Sequence, residues 1–373
     1  MKKYKLLYFV SEDEYFLSHK IFQAKNALEN KFDVMIICNF TKHENKIRSE
    51  GFRTKNINFN RKSINPFNNL IYLLRLLKII HTFKPDLIQC FALKPILITS
   101  MAAFFNKNIK VLCCVVGVGF LIINKNFFSN IIRGFYFFLL KTFSMRNITY
   151  IFQNLDDLKL FEEKGVIKNK NVKIIKGSGV DTNFFKKGHK KKIYDLIFHS
   201  RILKDKGIFE IINALKKLQK KKIILRTLIL GNPDPKNFSS ISPKKLNEWN
   251  DSNIIIWKPR VLNVLPYLQK ARIAILPSYR EGLPRSLIEA ASCELPIIST
   301  NVPGCKEICI DKFNGYLVEP RDSSSLAEAI EKLIFNQRLI DKFGKNGRNH
   351  VVKNFENRLV SKKFREIYKS LLE

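Results

Sequence analysis

The stretch 275-ILPSYREGLPRSLIEAASCELPIIST-300 decides the fold of this chain. An apolar strand at residues 274–276 enters a Pro/Ser turn, and the loop that follows carries Glu281. A helix with Glu289 comes next, and a second apolar strand covers residues 295–299. Strand, loop, helix and strand in this order form one right-handed crossover, in which a ligand lies at the carboxyl end of the first strand, against the helix N-terminus. The stretch therefore predicts a parallel α/β sheet with a ligand site at its edge.

The two glutamates of this stretch are eight residues apart. If the residues between them are helical, that spacing is a little over two turns, so that both carboxylates can share one face. Backbone N–H groups at the start of the helix lack partners within it and suit an anion; they belong to Leu283, Arg285 and Ser286. The spacing alone leaves open a second interpretation, a solvated pair of glutamates on a helix surface.

The net charge points to anionic partners. The chain has 373 residues, enough for two α/β domains, and 66 Lys and Arg residues against 32 Asp and Glu residues give a formal charge of +34. Such a field attracts nucleic acid, anionic phospholipid or phosphorylated substrates. The excess of Lys alongside abundant Asn and Ile also suggests a genomic bias in composition.

The cysteines and the apolar runs indicate the redox compartment of the chain and whether it crosses a membrane. The seven cysteines lie mostly in apolar runs and form no C-x-x-C pair, so they are predicted to be core residues in a reducing compartment rather than disulfides or zinc ligands. The segment 131–143 is the most hydrophobic after the first strand, but a membrane-spanning helix needs roughly 20 apolar residues. The N-terminal run is predicted to be a first strand and not a signal peptide.

Strand and helix patterns alternate in both halves of the chain, which predicts two doubly wound parallel sheets. The first helix is predicted over residues 20–29. The basic segment 186-KKGHKKK-192 is the predicted linker, so that the domains cover residues 1–185 and 193–354. The helix at 355–373 is expected to pack back on the first domain. A cleft between two such domains is the usual place for a small ligand.

A second segment, 198-FHSRILKDKGIFE-210, carries cations directly after a strand. Arg201 and Lys206 stand at that point, and Gly207 opens a helix. A guanidinium fork and an ammonium point charge suit a diphosphate. An exposed basic loop in a very basic protein is the alternative.

Four segments, SRILKDKG, LPSYREGLPRSLIEA, NVPGCKEI and NGYLVEPRD, follow one another in the second half of the chain. In order and spacing they resemble the family 4 retaining glycosyltransferases of the GT-B fold, and the first half resembles that family more loosely. The resemblance implies an α/β protein of two Rossmann-like domains with the active site in the cleft between them. It also implies a nucleotide sugar as co-substrate, no bound cofactor and no metal.

The resemblance assigns roles to residues at matching positions. Arg201 and Lys206 would hold the donor diphosphate, Glu289 would accept hydrogen bonds from the ribose hydroxyls, and Glu281 would orient the donor sugar as the catalytic carboxylate. The anomeric configuration would be retained, with the acceptor attacking from the face that the diphosphate leaves. The loop residues expected to touch sugar or phosphate are Gly282, Leu283, Pro284 and Arg285.

The first half departs from the family pattern at two places. The segment 10-VSEDEYFLSHK-20 replaces a Gly-rich loop after the first strand, and no His-x-His-like pair follows the strand at 87–90. His19 is the candidate catalytic replacement for the missing histidine; a helix cap or a packed residue is the alternative for it.

Three further residues are acceptor-side or loop candidates. Lys94 follows the strand at 87–90 and would contact the acceptor or a phosphate, and Gly117 and Gly119 form a G-x-G pair after an apolar strand. A lone G-x-G pair is a weak signal.

The resemblance is nearest to bacterial members that extend lipid-linked or lipopolysaccharide glycans. Segments such as 62-KSINPF-67 are similar to those of enzymes that add an N-acetylhexosamine to an undecaprenyl-diphosphate-linked sugar. UDP is the nucleotide expected by analogy. A GT-B sugar-nucleotide epimerase, an inactive scaffold and a non-catalytic basic protein that binds membranes or nucleic acid are the alternatives.

The segment 121–147 interleaves Phe and Ile with Lys and Arg, as an interfacial helix does. Each such cation contributes roughly 1 kcal/mol near an anionic leaflet. A buried helix with snorkelling cations is the alternative. The chain is therefore expected to be cytoplasmic and peripheral on the inner face of the cytoplasmic membrane. Nucleic acid is not an expected partner, since the basic residues form no aromatic–basic reading surface.

Overall fold

The computed structural model describes residues 3–60, 66–118, 127–167, 171–235 and 237–373, without the side chains of Pro66 and Phe128. The chain forms two compact units, the first made of Met1–Ser178 with Asn357–Glu373 and the second of Gly179–Glu356. The segment 186–192, where the sequence predicts the linker, belongs to the second unit.

The first unit is built on a parallel sheet of seven strands in the order β3-β2-β1-β4-β5-β6-β7. Its central strands are almost entirely apolar, because helices cover both faces of a sheet of this kind. The strands are β1 (Lys5–Glu12), β2 (Asp33–Asn39), β3 (Arg53–Asn56), β4 (Leu87–Phe91), β5 (Lys110–Val115), β6 (Ile148–Phe152) and β7 (Val172–Ile174).

Two cores lie on the two faces of this sheet. Helices α4, α5, α6 and α7 contribute to one core, and α1, α2, α3 and the C-terminal helix (Asn357–Leu372) contribute to the other. Among the described residues, the helices of this unit before the C-terminal one are α1 (Asp13–His19), α2 (Ile21–Glu29), α3 (Glu44–Ser49), α4 (Pro66–Phe83), α5 (Leu93–Phe105), α6 (Phe127–Phe143) and α7 (Leu155–Glu163).

A buried polar chain ties the C-terminal helix to the first sheet. The hydroxyls of Tyr8 and Tyr368 are 2.8 Å apart, and Gln23 Nε2 donates to the Tyr368 oxygen at 2.7 Å. Tyr368 in turn donates to the side-chain oxygen of Gln89. Because a buried polar group without a partner is costly, these matched groups fix the register of the helix on strands β1 and β4.

The second unit repeats the strand order of the first as β10-β9-β8-β11-β12-β13, again all parallel. Both sheets thus confirm the predicted doubly wound α/β fold, in which the strand order reverses at one point. The strands are β8 (Tyr194–His199), β9 (Thr227–Leu230), β10 (Ile256–Lys258), β11 (Ala271–Leu276), β12 (Ile297–Thr300) and β13 (Gly315–Val318). The helices are α8 (Ile208–Lys220), α9 (Pro243–Asp251), α10 (Leu265–Leu268), α11 (Arg285–Ser292), α12 (Ser323–Ile334) and α13 (Gln337–Phe355).

All seven cysteines are buried as free thiols, as their apolar surroundings predict. Within the described residues, no helix combines the length and the hydropathy needed to cross a bilayer.

The start of the chain differs from the sequence prediction. Residues 13–19, expected to be a loop before the first helix, form the separate helix α1. Its first residue, Asp13, is buried and accepts hydrogen bonds from three consecutive backbone N–H groups, those of Thr41, Lys42 and His43, at 2.8–3.0 Å. The Asp13 carboxylate therefore closes the turn between β2 and α3.

Asp13→Asn should lower the free energy of unfolding by about 2 kcal/mol at pH 7, because an amide nitrogen cannot accept bonds that a carboxylate accepts. Burial alone would raise the pKa of Asp13, but the three backbone donors outweigh it and the pKa lies below its ordinary value. The destabilisation by Asp13→Asn should therefore have its full size above the unfolded-state pKa of about 4. It should shrink as the pH falls through the lower pKa of Asp13 in the folded state.

Urea unfolding at pH 7 and at acid pH measures this difference. Glu366→Gln, which neutralises an exposed carboxylate, is the matched control and should leave the transition in place. An equal effect of the two variants would contradict the role of Asp13.

Candidate functional site

The site lies where the strand order of the second sheet reverses. Strands β8 and β11 are neighbours there and run parallel, so the segments that follow His199 and Leu276 leave the same edge of the sheet. The two segments are joined by a hydrogen bond of 2.9 Å from the backbone N–H of Tyr279 to the backbone oxygen of Asp205. Ligands of doubly wound sheets bind at this edge and at this point.

Gly207 allows the two segments to approach each other. It has φ +77°, and a Cβ at this position would lie 2.1 Å from the backbone oxygen of Pro277. Only glycine avoids both the left-handed strain and that overlap. The neighbouring Lys206 therefore contacts the loop that carries Glu281.

Lys206 and Glu281 form a largely buried ion pair at the centre of the site. The ammonium of Lys206 donates to Glu281 Oε1, and the same oxygen accepts from Ser278 Oγ at 2.7 Å. Lys206 is only 8% exposed. The hydrogen bond from Ser278 helps to offset the cost of burying the two charges. Removal of either charged partner would leave the other charge uncompensated.

The backbone of the glutamate loop is fixed from a third segment. Gly304 has φ +78°, and a Cβ there would lie 2.5 Å from the backbone oxygen of Gly282 and 2.7 Å from that of Glu281. The N–H of Glu281 donates to the backbone oxygen of Pro303 at 3.3 Å. The segment 301-NVPGCKE-307 therefore shapes this loop.

The predicted helical relation of the two glutamates is wrong. Helix α11 begins at Arg285, after Pro284 in an extended conformation (φ −73°, ψ 104°), so Glu281 lies outside the helix. The residue before a proline is disfavoured in helical geometry, which explains why the helix cannot start earlier. Glu281 and Glu289 instead each make their own set of contacts.

Glu289 accepts hydrogen bonds at both carboxylate oxygens. Arg285 Nε donates to Oε1 at 2.7 Å, and His199 Nε2 lies 3.3 Å from Oε2. Burial alone would raise the pKa of Glu289, but the bonds and charges of His199 and Arg285 outweigh it and hold the pKa below its ordinary value. Glu289 is therefore ionised at neutral pH and retains lone pairs for further donors.

Sequence reasoning missed His199 and Ser278, and it left Tyr279 without a role. His199 is the last residue of β8, directly before the basic segment, and Ser278 stands in the quoted Pro/Ser turn. Tyr279 donates to Glu210 Oε1 at 2.8 Å. Their only signal in the sequence was their place at the ends of the two strands that flank the reversal.

Arg201 stands apart from the buried pair in its contacts. Its side chain is 52% exposed, and Nη1 lies 3.6 Å from Asp234 Oδ2. Such a pair in water contributes little energy, so the guanidinium can exchange its partner for another anion.

The remaining donor-loop candidates surround the start of α11. Gly282 and Pro284 are buried, and the side chain of Leu283 packs against the core of the second unit. Arg285 is used by Glu289, as described above. Contacts of these four residues with sugar or phosphate stay a prediction.

The candidates of the first unit lie at the corresponding edge of the first sheet. His19 ends α1, stacks on Tyr15 with ring centroids 4.7 Å apart, and has Nδ1 2.7 Å from Ser18 Oγ. Lys94 is the second residue of α5 and donates to the backbone oxygen of Asn60 at 2.9 Å. A catalytic role for His19 and an acceptor role for Lys94 stay predictions.

Partial burial lowers the pKa of Lys94 to about 8. Its ammonium lies 5.2 Å from the ring centroid of Phe59 and 5.0 Å from that of Tyr72. Gly117 has φ +123°, a backbone conformation that suits glycine, and Gly119 lies outside the described residues.

A buried cation that the sequence analysis did not single out lies near these residues. Lys20 is 1% exposed, and its ammonium donates to Ser178 Oγ at 3.2 Å and lies 4.5 Å from the ring centroid of Phe91. Among the described residues, no three His, Cys, Asp or Glu side chains are grouped as metal ligands.

Two family models match the chain, one in each half. The model described as "Glycosyl transferase 4-like" matches residues 5–154, and the model described as "Glycosyl transferases group 1" matches residues 179–350. The second match contains every residue placed above at the strand reversal of the second sheet.

Curated relatives match most of the chain. It is 26% identical over 331 residues to the capsular polysaccharide biosynthesis glycosyltransferase CapM of Staphylococcus aureus, covering 84% of each chain. It is 24% identical over 363 residues, 94% of each chain, to the N,N'-diacetylbacillosaminyl-diphospho-undecaprenol alpha-1,3-N-acetylgalactosaminyltransferase of Campylobacter jejuni.

Solved structures share the fold over the full length. A glycosyltransferase from Rickettsia africae matches with a TM-score of 0.77 and 19% identity, covering 100% of both chains. Anabaena HepE in complex with UDP and glucose matches with a TM-score of 0.79 and 14% identity, covering 98% of this chain and 100% of the other.

Gly207→Ala should lower the free energy of unfolding by about 2–3 kcal/mol, through left-handed strain and overlap with the Pro277 oxygen. Gly134→Ala is the matched control, since a Cβ in this exposed helix meets no atom within 4 Å and should be neutral or slightly stabilising. Thermal unfolding of both variants measures the difference, and equal melting temperatures would refute the proposed close approach.

Proposed function

Since the chain belongs to the family 4 glycosyltransferases of the GT-B fold, we propose that it moves a hexose or N-acetylhexosamine from a UDP-sugar to a lipid-linked or glycan acceptor with retention of configuration. The observation that carries the proposal is the buried pair of Lys206 and Glu281 at the strand reversal of the second sheet, together with the hydrogen-bonded carboxylate of Glu289 on the helix that follows.

The diphosphate of the donor binds to Lys206 and Arg201. When a dianionic group binds between them, Arg201 leaves its exposed contact with Asp234 and forms a bidentate bond to the anion. The bidentate bond is the stronger of the two. Lys206 is already fixed by its contact with Glu281, so little side-chain entropy is lost on binding. The two cations stabilise the negative charge that grows on the leaving group, and neither a metal nor another cofactor is needed.

The ribose of the nucleotide binds to Glu289. With Arg285 and His199 each using one lone pair of the carboxylate, one acceptor position is left on each oxygen for two neighbouring hydroxyls. His199 is a positioning residue in this arrangement.

The donor sugar binds beside Glu281, whose carboxylate stabilises positive charge at the anomeric carbon. The bond from that carbon to the diphosphate oxygen breaks, a bond from the acceptor oxygen forms on the same face, and the acceptor proton passes to the departing diphosphate. The backbone N–H groups of 282–285 contact sugar or phosphate at the start of α11.

The acceptor is a lipid-linked glycan of bacterial surface polysaccharide synthesis. The support is the similarity to enzymes whose names specify diphospho-undecaprenol acceptors, in Campylobacter jejuni and in Escherichia coli, the latter 31% identical over 33% of this chain. His19 is the catalytic candidate of the first unit, and Lys94 is the acceptor-side candidate. The enzyme works on the cytoplasmic face of the membrane, attracted by anionic lipid through its charge of +34, and it does not bind nucleic acid.

UDP-sugars should raise the melting temperature of the protein, because a ligand of the native state stabilises it, whereas GDP- and dTDP-sugars should not.

Lys206→Met should weaken UDP binding by about 10- to 100-fold in calorimetry, since it removes a charge-assisted bond and leaves Glu281 to repel the diphosphate.

Lys216→Met removes an exposed lysine of the next helix and is the matched control. Adding Glu281→Gln to Lys206→Met separates loss of the bond from repulsion. Unchanged UDP affinity in Lys206→Met would rule out the diphosphate role.

Glu289→Gln should weaken UDP about 10- to 100-fold and leave inorganic pyrophosphate binding unchanged, because Glu289 contacts only the ribose. Glu328→Gln, an exposed carboxylate on α12, should change neither affinity. If pyrophosphate lost as much affinity as UDP, Glu289 would act on the diphosphate or on the fold of the site instead.

A further inference from the structure

The side of the first unit that carries α4, α5 and α6 exposes apolar side chains in regular rows. On α6, Phe127, Ile131, Phe135 and Phe138 follow one another at three- and four-residue spacing and are 53–74% exposed. That spacing places them on one face of the helix. Helix α4 repeats the pattern with Phe67, Leu70, Ile71 and Leu74. Two exposed apolar rows of this kind are typical of an interaction surface.

Helices α4, α5 and α6 carry charges of one sign, whereas α7 on the same face of the sheet carries the acids Asp156, Asp157, Glu162 and Glu163. Helices α4, α5 and α6 contain no Asp or Glu, while Arg75, Lys78, Lys94, Arg133 and Lys141 all belong to them. Helix α5 contacts both of the others, so the three form one continuous layer on the sheet. Apolar rows combined with cations and no acid complement an anionic, partly apolar surface.

A hollow of about 330 Å³ lies beside the apolar row of α6. Three cations line it, Arg133, Lys141 and Lys164, together with Phe137 and Phe138. Arg133 Nη2 donates to Asn130 Oδ1 at 2.9 Å, which holds the guanidinium at the hollow. The acids that precede Lys164 in the sequence, Glu162 and Glu163, are not among the lining residues.

We propose that this face docks on anionic phospholipid, with the phosphate of a lipid headgroup in the hollow of Arg133, Lys141 and Lys164, and the apolar row of α6 in the acyl boundary. The inference rests on the proposed function in one respect, since a lipid-linked acceptor places the reaction at a membrane. A phosphate in the hollow meets three cations at once, whereas a zwitterionic headgroup brings its own ammonium against them. The apolar row alone would not distinguish the two lipids.

The test is sedimentation with vesicles of pure phosphatidylglycerol and of pure phosphatidylcholine. The protein should partition to the anionic vesicles and be released by salt. Arg133→Gln combined with Lys141→Gln should weaken partitioning by about thirtyfold, at about fivefold for each cation. Phe135→Ser with Phe138→Ser should also weaken it, since the apolar row enters the interface.

Lys362→Gln with Lys363→Gln is the matched control. These exposed lysines lie on the C-terminal helix, which packs on the other face of the same sheet, so the variant loses the same charge with less than a twofold effect. Equal binding to both lipids, an unchanged Arg133/Lys141 variant, or an equal loss in the control would each overturn the proposal.

Calorimetry with UDP on the same proteins separates the two proposals. All variants should bind UDP as the unaltered protein does, which also shows that they fold. Absence of UDP binding in the unaltered protein would contradict the proposed donor while the lipid result stands independently.

Discussion

The candidate site depends on the approach of two backbone segments at Gly207 and Pro277. Without a side chain at residue 207, the turn after β8 can lie against the loop after β11, and Lys206 then meets Glu281. Each buried charge satisfies the other, and neither would be tolerated there alone. A close contact between main chains thus determines where a cation and a carboxylate stand in the site.

The same strand order in both sheets explains why two sets of candidate residues exist. In each unit the reversal lies between the first strand and the strand that follows the third, at β1 and β4 or at β8 and β11. The loops that follow these strands differ between the two units. In the second unit they bring together an ion pair and a hydrogen-bonded carboxylate, and in the first unit α1 occupies the position and Asp13 is used to close a turn.

The sequence predicted the alternation of elements well, because long apolar runs buried on both faces leave little ambiguity. The helix predicted at 20–29 spans Ile21–Glu29, and the helix predicted at 355–373 spans Asn357–Leu372. It failed at short elements: α1 has seven residues, and its acids and serine resemble a loop. Within the site, types and order of residues were predictable, but partners were not. The bond of Glu289 to His199 depends on which strands lie side by side, and its bond to Arg285 depends on where α11 begins, because the extended and buried Pro284 ends the assumed helix there.

Positive charge is arranged differently in the two units. In the second unit, the buried Lys206 is paired with a carboxylate that cancels most of its field at a distance. Its charge therefore acts only on a group in direct contact with the pair. On the layer of α4, α5 and α6, the cations have no acids within their own helices and alternate with exposed apolar rows. Solvent screens such charges beyond roughly 10 Å, so they act on a surface that comes into contact and not on a distant solute. A composition as basic as this one does not reveal such a division, because it depends on where each carboxylate is placed.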